Sequence, residues 1–280
     1  MPKQIQEVKQ EPKGVVFEYK LYNLFNSIKH LDSVNIKATE KGLDFWGMDL
    51  SNTMMTEVFI DKEHIRNYQL KKPTEITTEI DYLRIVKRLY MVKAYIDEQK
   101  MIFEEKNTKI EMPVLETSQK EKPKLDLKKA VSFELSPSEV RKALNDITAI
   151  GSDVFYLEFK DKSAVFRASG KYGTLIKTLE PYEKGIKKFE KKAESIKVSL
   201  SVELFRNALN GSQGKMRITL SENSPVIVEY IGSEYDRLTE KVTHYIAPRV
   251  DDNDDFEYDD DEQDDEQDDE AVEEIDTEED

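Results

Sequence analysis

The chain of 280 residues contains no cysteine, and this absence excludes several kinds of chemistry. Without thiols there can be no disulfide bond, no thiolate nucleophile and no cysteine-ligated zinc or iron–sulfur site, which fits a reducing compartment. No segment approaches the roughly 18 apolar residues of a membrane-spanning helix. The polar N-terminal sequence is unlike a signal peptide. We therefore expect no membrane contact and a cytoplasmic or nucleoid location, or a nuclear one in a nucleated cell or its virus.

Motifs that bind metals or phosphates are also scarce. The histidines His30, His64 and His244 have no spacing typical of ligands of one metal ion, so each is interpreted as a surface or packing residue. Ser169-Gly170-Lys171 is similar to the end of a phosphate-binding loop, but Val165 stands where that loop needs its first glycine. No catalytic group of residues is present, so we expect no enzyme activity, no metal and no cofactor.

The charge is unevenly distributed along the chain. The sequence holds 58 acidic and 42 basic residues, a formal net charge of -16, but 21 of the acidic residues and none of the basic ones lie in 251–280. Removing that tail leaves 37 acidic against 42 basic residues, a charge near +5. A mildly basic body makes nucleic acid a plausible partner, and the acidic tail needs a separate explanation.

One module occurs twice. The stretch Phe25–Asp49 lines up with Leu144–Gly170, so that a helix end, a strand, a turn and a second strand recur in the same order. Residues 80–84 match residues 202–206, and each of these segments opens a short helix after a β-rich run. Duplicated halves are typical of proteins built from structural repeats. In such a protein we do not first expect catalysis at one unique cleft.

The patterns predict an α+β protein with short strands and four helices. Ser136 is expected to cap the third helix, because Pro137 occupies the first helical position and Glu139 follows three residues after the cap. The predicted divisions are a flexible arm (1–14), a first domain (15–115), a charged interdomain connector (116–130), a second domain (131–250) and a disordered acidic tail (251–280).

The predicted helices carry basic residues at exposed positions, while acidic residues are mainly near the helix starts. For a single helix, an ordinary solvated face explains such a pattern. For four helices together, the pattern favours an anion-binding surface. The basic residues are Lys29, Arg84, Lys87, Arg88, Arg141, Lys142 and Arg206.

Four segments resemble the sliding clamps of archaea and eukaryotes, the proliferating cell nuclear antigen (PCNA) family. SPVIVEY (224–230) and THYIAPRVDD (243–252) are similar to the closing strands of that family. WGMDLSNTMM (46–55) is similar to its loop after the second strand, and KIEMPVLE (109–116) to the strand before its connector. The resemblance implies a DNA-clamp fold with two topologically similar domains, outer antiparallel sheets and inner helices. It also implies that three subunits close into a ring.

The resemblance implies a function and three sets of residues. The expected function is a processivity factor and docking platform in DNA replication and repair, with double-stranded DNA, polymerases and other clients, a clamp loader and further copies of the chain as partners. The basic helix residues would line the DNA channel. The subunit interface would include Lys109, Ile110, Met112, Thr174, Ile176 and Leu179. The client groove would include Met48, Asn52, Thr53, Leu125, Leu127, Pro225, Tyr245, Ala247, Pro248 and Arg249.

Some alternatives stay open at this point. The chain could be one subunit of a heterotrimeric clamp or of a specialised transcription or checkpoint clamp. It could also be a histone chaperone or DNA mimic acting through its acidic tail, which could equally be a solubilising or autoinhibitory extension. Leu125 and Leu127 could be ordinary strand residues or a wall of the groove. Trp46 is interpreted as a packing residue rather than a base-stacking one.

Overall fold

The structure is a computed structural model that describes residues 13–115, 121–125, 127, 130–181, 187–188, 195–212, 214–222, 224–232 and 240–249. The predicted acidic tail, most of the predicted arm and part of the predicted connector lie outside the described residues. Within these ranges, no helix is both long enough and apolar enough to pass through a membrane.

The described part of the first half forms nine strands and two α-helices. In chain order they are β1 (Val15–Tyr19), α1 (Leu21–Ile28), β2 (Ser33–Thr39), β3 (Gly42–Met48), β4 (Met54–Asp61), β5 (Arg66–Leu70), β6 (Thr74–Glu79), α2 (Ile80–Val86), β7 (Val92–Ile96), β8 (Lys100–Glu105) and β9 (Thr108–Pro113).

The described part of the second half repeats this order. Its elements are β10 (Val131–Leu135), α3 (Pro137–Ala149), β11 (Val154–Lys160), β12 (Ser163–Gly170), β13 (Gly173–Leu179), β14 (Lys187–Lys188), β15 (Ile196–Ser201), α4 (Val202–Ala208), β16 (Lys215–Leu220), β17 (Val226–Gly232) and β18 (Glu240–Ile246). Strands and helices correspond one to one in the two halves, which confirms the predicted duplication.

The strands in the described ranges form three antiparallel sheets. The first has the order β5-β1-β7-β8-β9 and the second has the order β13-β12-β11-β15. The third sheet, with nine strands, has the order β14-β10-β16-β17-β18-β4-β3-β2-β6. It combines five strands of the second half with four strands of the first half, so backbone hydrogen bonds join the two halves directly.

The junction within the nine-stranded sheet is the pairing of β18 with β4. It runs from Glu240 opposite Ile60 to Ile246 opposite Met54. In the repeat order, β9 corresponds to β18 and β13 corresponds to β4. These two counterparts are edge strands, each with one neighbour among the described strands. Strands β18 and β4 therefore pair with each other inside the chain, whereas their counterparts β9 and β13 each leave one edge open among the described strands.

The helices pack against the inner faces of the sheets because their apolar residues recur at helical spacing. In α1 the residues Leu21, Leu24, Phe25 and Ile28 are buried. In the second half, the ring of Phe205 on α4 packs edge-on against a sheet phenylalanine at a centroid distance of 5.5 Å. Full burial of one such side chain contributes about 1.5–3 kcal/mol. These contacts fix the helices on the core side of the sheets.

Two local features differ from the sequence expectations. Helix α2 ends at Val86, so Lys87 is its C-cap and Arg88 lies in the following turn instead of on a continued helical face. Ser136 does occupy the N-cap position of α3, with Pro137 at the start, but its side chain makes no capping bond. The Ser136 hydroxyl is hydrogen-bonded to the Ser138 hydroxyl at 2.7 Å instead.

His30 and His244 lie in a polar network at the junction of the halves, where His244 is buried and His30 is partly buried. Thr56 Oγ1 is hydrogen-bonded to both His30 Nε2 and His244 Nδ1 at 2.9 Å. His244 Nε2 is hydrogen-bonded to the hydroxyl of Tyr230, which donates to the carbonyl of Asn210 at 2.8 Å. Burial lowers the pKa of His30 to about 4 and lowers that of His244 well below its usual value. Both are packing residues in a neutral network.

Candidate functional site

The basic residues of the first half lie where α1 and α2 meet. Lys29 is the C-cap of α1, and the Lys87 ammonium lies 4.7 Å from the ring centroid of Phe25 on that helix. Lys29 and Arg88 make no ion pair or hydrogen bond within the described part of the chain. Arg84 pairs with Asp81 at 2.9 Å, but both side chains are exposed and such pairs are weak. This end of the helix pair therefore carries cations that are available to an anion.

Two arginines of the second half are already engaged by protein groups. Arg206 on α4 donates to the carbonyl of Leu144, to Asn145 Oδ1 and to Thr148 Oγ1 on α3, at 3.2, 3.0 and 2.9 Å. Its counterpart on α3, Arg141, donates to the carbonyl of Leu209 and to the hydroxyl of Ser212. These two side chains connect α3 and α4 in both directions. Their positive charge stays at the surface, but their donors have structural partners.

The helices form a row. Contacts join α1 to α2 and α3 to α4. The turn after α4 lies against α1, because a Cβ added at Gly211 would lie 2.8 Å from Ser27 Oγ. The seven predicted DNA-binding residues therefore lie along one row of helices, in the order α2, α1, α4, α3. The last of them, Lys142, is exposed and pairs with Glu139 of its own helix at 2.8 Å.

An apolar strip crosses the outer face of the nine-stranded sheet, on the side away from the helices. It consists of Met48, Met55, Tyr245 and Ile227, which lie opposite one another on β3, β4, β18 and β17. Met55 and Ile227 are buried but belong to no part of the main core. Trp46, which pairs with Glu57 in the neighbouring row of the sheet, is also buried outside the main core, with 5% exposure. Met48 and Tyr245 are the members of the strip that are partly exposed, so they are the candidate contacts for a docked molecule on this face.

The loop between β3 and β4 forms one end of this strip. The carboxylate of Asp49 accepts hydrogen bonds from the amides of Thr53 and Met54 at 2.7 and 2.8 Å, and from the hydroxyl of Thr53 at 2.7 Å. Asn52 adopts a left-handed conformation with φ of 55°, which asparagine tolerates. The side chain of Leu50 is 83% exposed at the tip. The loop is thus held in one shape beside the groove.

The last described residues return to the same place. The amide of Ala247 donates to the carbonyl of Thr53 at 2.8 Å, which joins the residues after β18 to the loop. The amide of Arg249 donates to the carbonyl of Ser199 on β15 at 2.9 Å. Pro225 directly precedes the residue that pairs with the end of β18. Burial, followed by nearby carboxylates, raises the pKa of Tyr245 to about 12, so its phenol is neutral.

Described residues in and beside the connector contact the nine-stranded sheet at three points. The amide of Leu115 donates to the carbonyl of Thr77 on β6 at 3.0 Å, and the amide of Ala130 donates to the carbonyl of Leu220 on β16 at 3.3 Å. Between them, Lys122 Nζ lies 3.1 Å from Glu57 Oε2 and 3.7 Å from Asp44 Oδ2. The predicted groove residues Leu125 and Leu127 are partly buried, and Pro248 is partly buried as well.

Sequence reasoning missed five residues of this region. They are Trp46, Met55, Ile227, Lys122 and Glu57. Strand alternation could have indicated Trp46, since it shares a strand face with Met48. The ion pair of the connector had no sequence signal, because lysines and acidic residues are common throughout the chain.

The two predicted interface strands are both edge strands. On β9, Lys109 is exposed and Ile110 is partly buried, whereas Met112 points into the core of its own chain. On β13, Thr174 is exposed and Ile176 is 55% exposed, while Leu179 is buried. Surface available to another chain is therefore offered by Lys109, Ile110, Thr174 and Ile176. In the described ranges, no group of three or more acidic or histidine side chains could hold a metal ion.

Comparison with solved structures identifies the fold of the chain. The chain is similar to A. fulgidus PCNA in a complex with the C-terminal region of FEN-1, with a TM-score of 0.73 and 19% identity over 85% of this chain and 100% of that chain. It is also similar to PCNA from Thermococcus kodakaraensis, with a TM-score of 0.73 and 16% identity over 84% of this chain and 100% of that chain. The sequence matches no family model and no curated protein. The protein thus has the PCNA sliding-clamp fold, which confirms the predicted fold class.

Proposed function

We propose that this protein is a DNA sliding clamp, in which three copies form a ring around duplex DNA and serve as a processivity factor and docking platform. The observation that carries the proposal is the relation between paired and unpaired strands. The β18–β4 pairing joins two halves of one chain, while their counterparts β9 and β13 are open edges. Open edges with alternating apolar residues favour pairing with another chain.

The duplication also predicts the register of that pairing. Each row consists of residues that pair across neighbouring strands of one sheet. Matching the rows of one half with those of the other identifies the residues that are equivalent in the two halves. One match is Phe17–Ala94–Phe103–Ile110 with Phe133–Ile218–Val228–His244. The other is Ile76–Ile36–Phe45–Val58 with Val198–Leu157–Phe166–Lys177.

These rows make Ile110 equivalent to His244, and Leu175 equivalent to Thr56. Because His244 pairs with Thr56 inside the chain, Ile110 of one copy should lie opposite Leu175 of the next. On the other strand face, Lys109 should lie opposite Ile176. Where the internal junction has the buried polar pair His244 and Thr56, the contact between copies would have the apolar pair Ile110 and Leu175. Both apolar side chains are partly buried in one copy, and association would cover them fully.

A contact between two different surfaces of identical subunits produces a closed ring when the rotation per subunit divides the circle, and a filament otherwise. Each chain supplies two similar halves, so three copies supply six similar units. The row of helices would then face the hole. Its basic side chains can meet backbone phosphates without reading bases, which suits a protein that slides.

The apolar strip supports the docking part of the proposal. In the similar A. fulgidus complex, PCNA binds the C-terminal region of FEN-1. The strip offers a site where an apolar or aromatic segment of a client protein could be buried between sheet and connector. The alternative of a heterotrimeric clamp differs only in the identity of the neighbour at each open edge.

The absence of native cysteine makes a direct test possible. A Lys109→Cys/Ile176→Cys variant should form disulfides between subunits on oxidation, giving a covalent trimer. Oxidation in the presence of a nicked circular plasmid should trap protein that survives high salt and is released when the plasmid is linearised. Lys109→Cys/Thr178→Cys, displaced by two residues, is the control and should crosslink poorly.

The outcomes separate the possibilities. A protein that stays monomeric at micromolar concentration would refute the homotrimer and favour a heteromeric clamp. Equal crosslinking of both pairs would refute the register. Crosslinked rings that leave circular DNA at high salt would refute topological binding.

A further inference from the structure

Within the described part of the connector, the side chain of Lys122 makes ion pairs with the sheet. Its ammonium lies between Glu57 of β4 and Asp44 of β3, at 3.1 and 3.7 Å. The two other attachments are backbone hydrogen bonds at Leu115 and Ala130, near the ends of the connector. These three charged side chains, Lys122, Glu57 and Asp44, are named here the connector latch.

The latch lies beside the apolar strip. Glu57 stands on the outer face of β4, two residues after Met55 of the strip and directly opposite Trp46 of β3. Leu125 and Leu127, the predicted groove wall, follow Lys122 within five residues and are partly buried. A displacement of Lys122 would therefore be transmitted along a short stretch of chain to the groove wall.

The environment of the latch strengthens the attraction. Asp44 and Glu57 are partly buried, and burial raises the pKa of Asp44 while Lys122 opposes that rise. Two carboxylates on one sheet face repel each other, and Lys122 is the cation that pairs with both within the described residues. Removing its charge leaves two partly desolvated acids together, which disfavours the position of Lys122 and its neighbours against the sheet.

We propose that Lys122 is a positioning residue for client binding, which holds the connector in the position that completes the groove. The inference rests on the proposed docking function. A wall that is held in place before binding loses less conformational freedom when the client arrives, so affinity is higher. Breaking the latch should weaken client binding about two- to fivefold, the range expected for one partly exposed ion pair.

The experiment uses the full-length chain and four variants. They are Lys122→Glu, Glu57→Lys, the combined charge swap, and Lys124→Glu as the matched control. Lys124 lies in the same described segment, is exposed, and makes no ion pair within the described residues. The client probe is a synthetic peptide of the FEN-1 C-terminal region, with affinity measured by calorimetry. Amide hydrogen exchange of residues 121–127 is measured without peptide.

Each single change in the latch should weaken peptide binding and speed exchange in the connector, and the charge swap should restore both. Lys124→Glu should change neither by as much. Equal effects of Lys122→Glu and Lys124→Glu, or failure of the swap to restore exchange, would overturn the proposal. Because exchange is measured without peptide, the latch is tested even if the peptide fails to bind, an outcome that would count against the docking function instead.

Discussion

Glu240 provides a test of the junction between the two halves. This residue of β18 is 7% exposed, and its carboxylate accepts a hydrogen bond from the hydroxyl of Tyr19 at 2.9 Å. Burial raises its pKa from 4.5 to about 7, while hydrogen bonds from Tyr19 and from the backbone amide of Leu24 oppose the rise. Helix α1 lacks both a side-chain cap and an acidic residue in its first turn. Glu240 supplies an acceptor there from the other half of the chain.

The sign of the pH effect follows from proton linkage. Between pH 4.5 and 7 the folded chain keeps Glu240 protonated, whereas the unfolded chain ionises it. The free energy of unfolding therefore falls as pH rises through this range, by about 3 kcal/mol in total. About 2 kcal/mol of this loss falls between pH 5.5 and 8.5. That window avoids the sequence isoelectric point near 4.9, where solubility is poor.

The perturbation is Glu240→Gln, which keeps an oxygen acceptor for Tyr19 and removes the charge. We expect this variant to lack the pH-dependent loss and to exceed the wild type in free energy of unfolding at pH 8.5 by about 2–3 kcal/mol. Urea unfolding followed by circular dichroism measures this at one fixed protein concentration, because assembly also stabilises the fold. Glu40→Gln, in an exposed turn, is the control. Parallel pH profiles for Glu240→Gln and wild type would refute the reasoning.

Three further predictions concern the charged surfaces. Arg206→Lys should lower the free energy of unfolding by about 1–2 kcal/mol, because lysine cannot keep the bonds to α3, and a changed salt slope of DNA binding would contradict its structural role. The double change Lys29→Gln and Arg88→Gln should lower the slope of log DNA affinity against log salt concentration by about one for each phosphate interaction removed. Thermal stability should not fall. An unchanged slope would show that these residues do not contact DNA. Truncation after Val250 should tighten DNA binding at low salt, with a difference that shrinks as ionic strength rises, and equal affinities would mark the tail as a solvated extension.

Much of the fold could be predicted because it is encoded locally. Alternating apolar residues gave the strands, and the similarity of the halves gave their order. Helix ends were less predictable: α2 stops at Val86, although the spacing of Arg84, Lys87 and Arg88 suggested a longer basic face. A terminal turn depends on a balance of cap and tertiary contacts, which periodicity alone does not contain.

The candidate site could be predicted only in part. The family resemblance pointed to Met48, Thr53, Tyr245 and Ala247, which the structure brings together. The basic helix residues were identified by charge and spacing. That Arg206 donates to α3, whereas Arg88 has no described partner, depends on which helices are neighbours.

The sequence by itself determined the repetition, the class of each element, the separation of a basic body from an acidic tail and the absence of thiol chemistry, since composition and short-range periodicity carry that information. Only the tertiary structure decided what lies opposite what. The pairing of β18 with β4 buries Glu240 and His244. The folded chain also leaves β9 and β13 open among the described strands, and brings Lys122 onto Glu57. These are contacts between residues far apart in the chain, and their energies depend on burial and distance, quantities that exist only once the chain is folded.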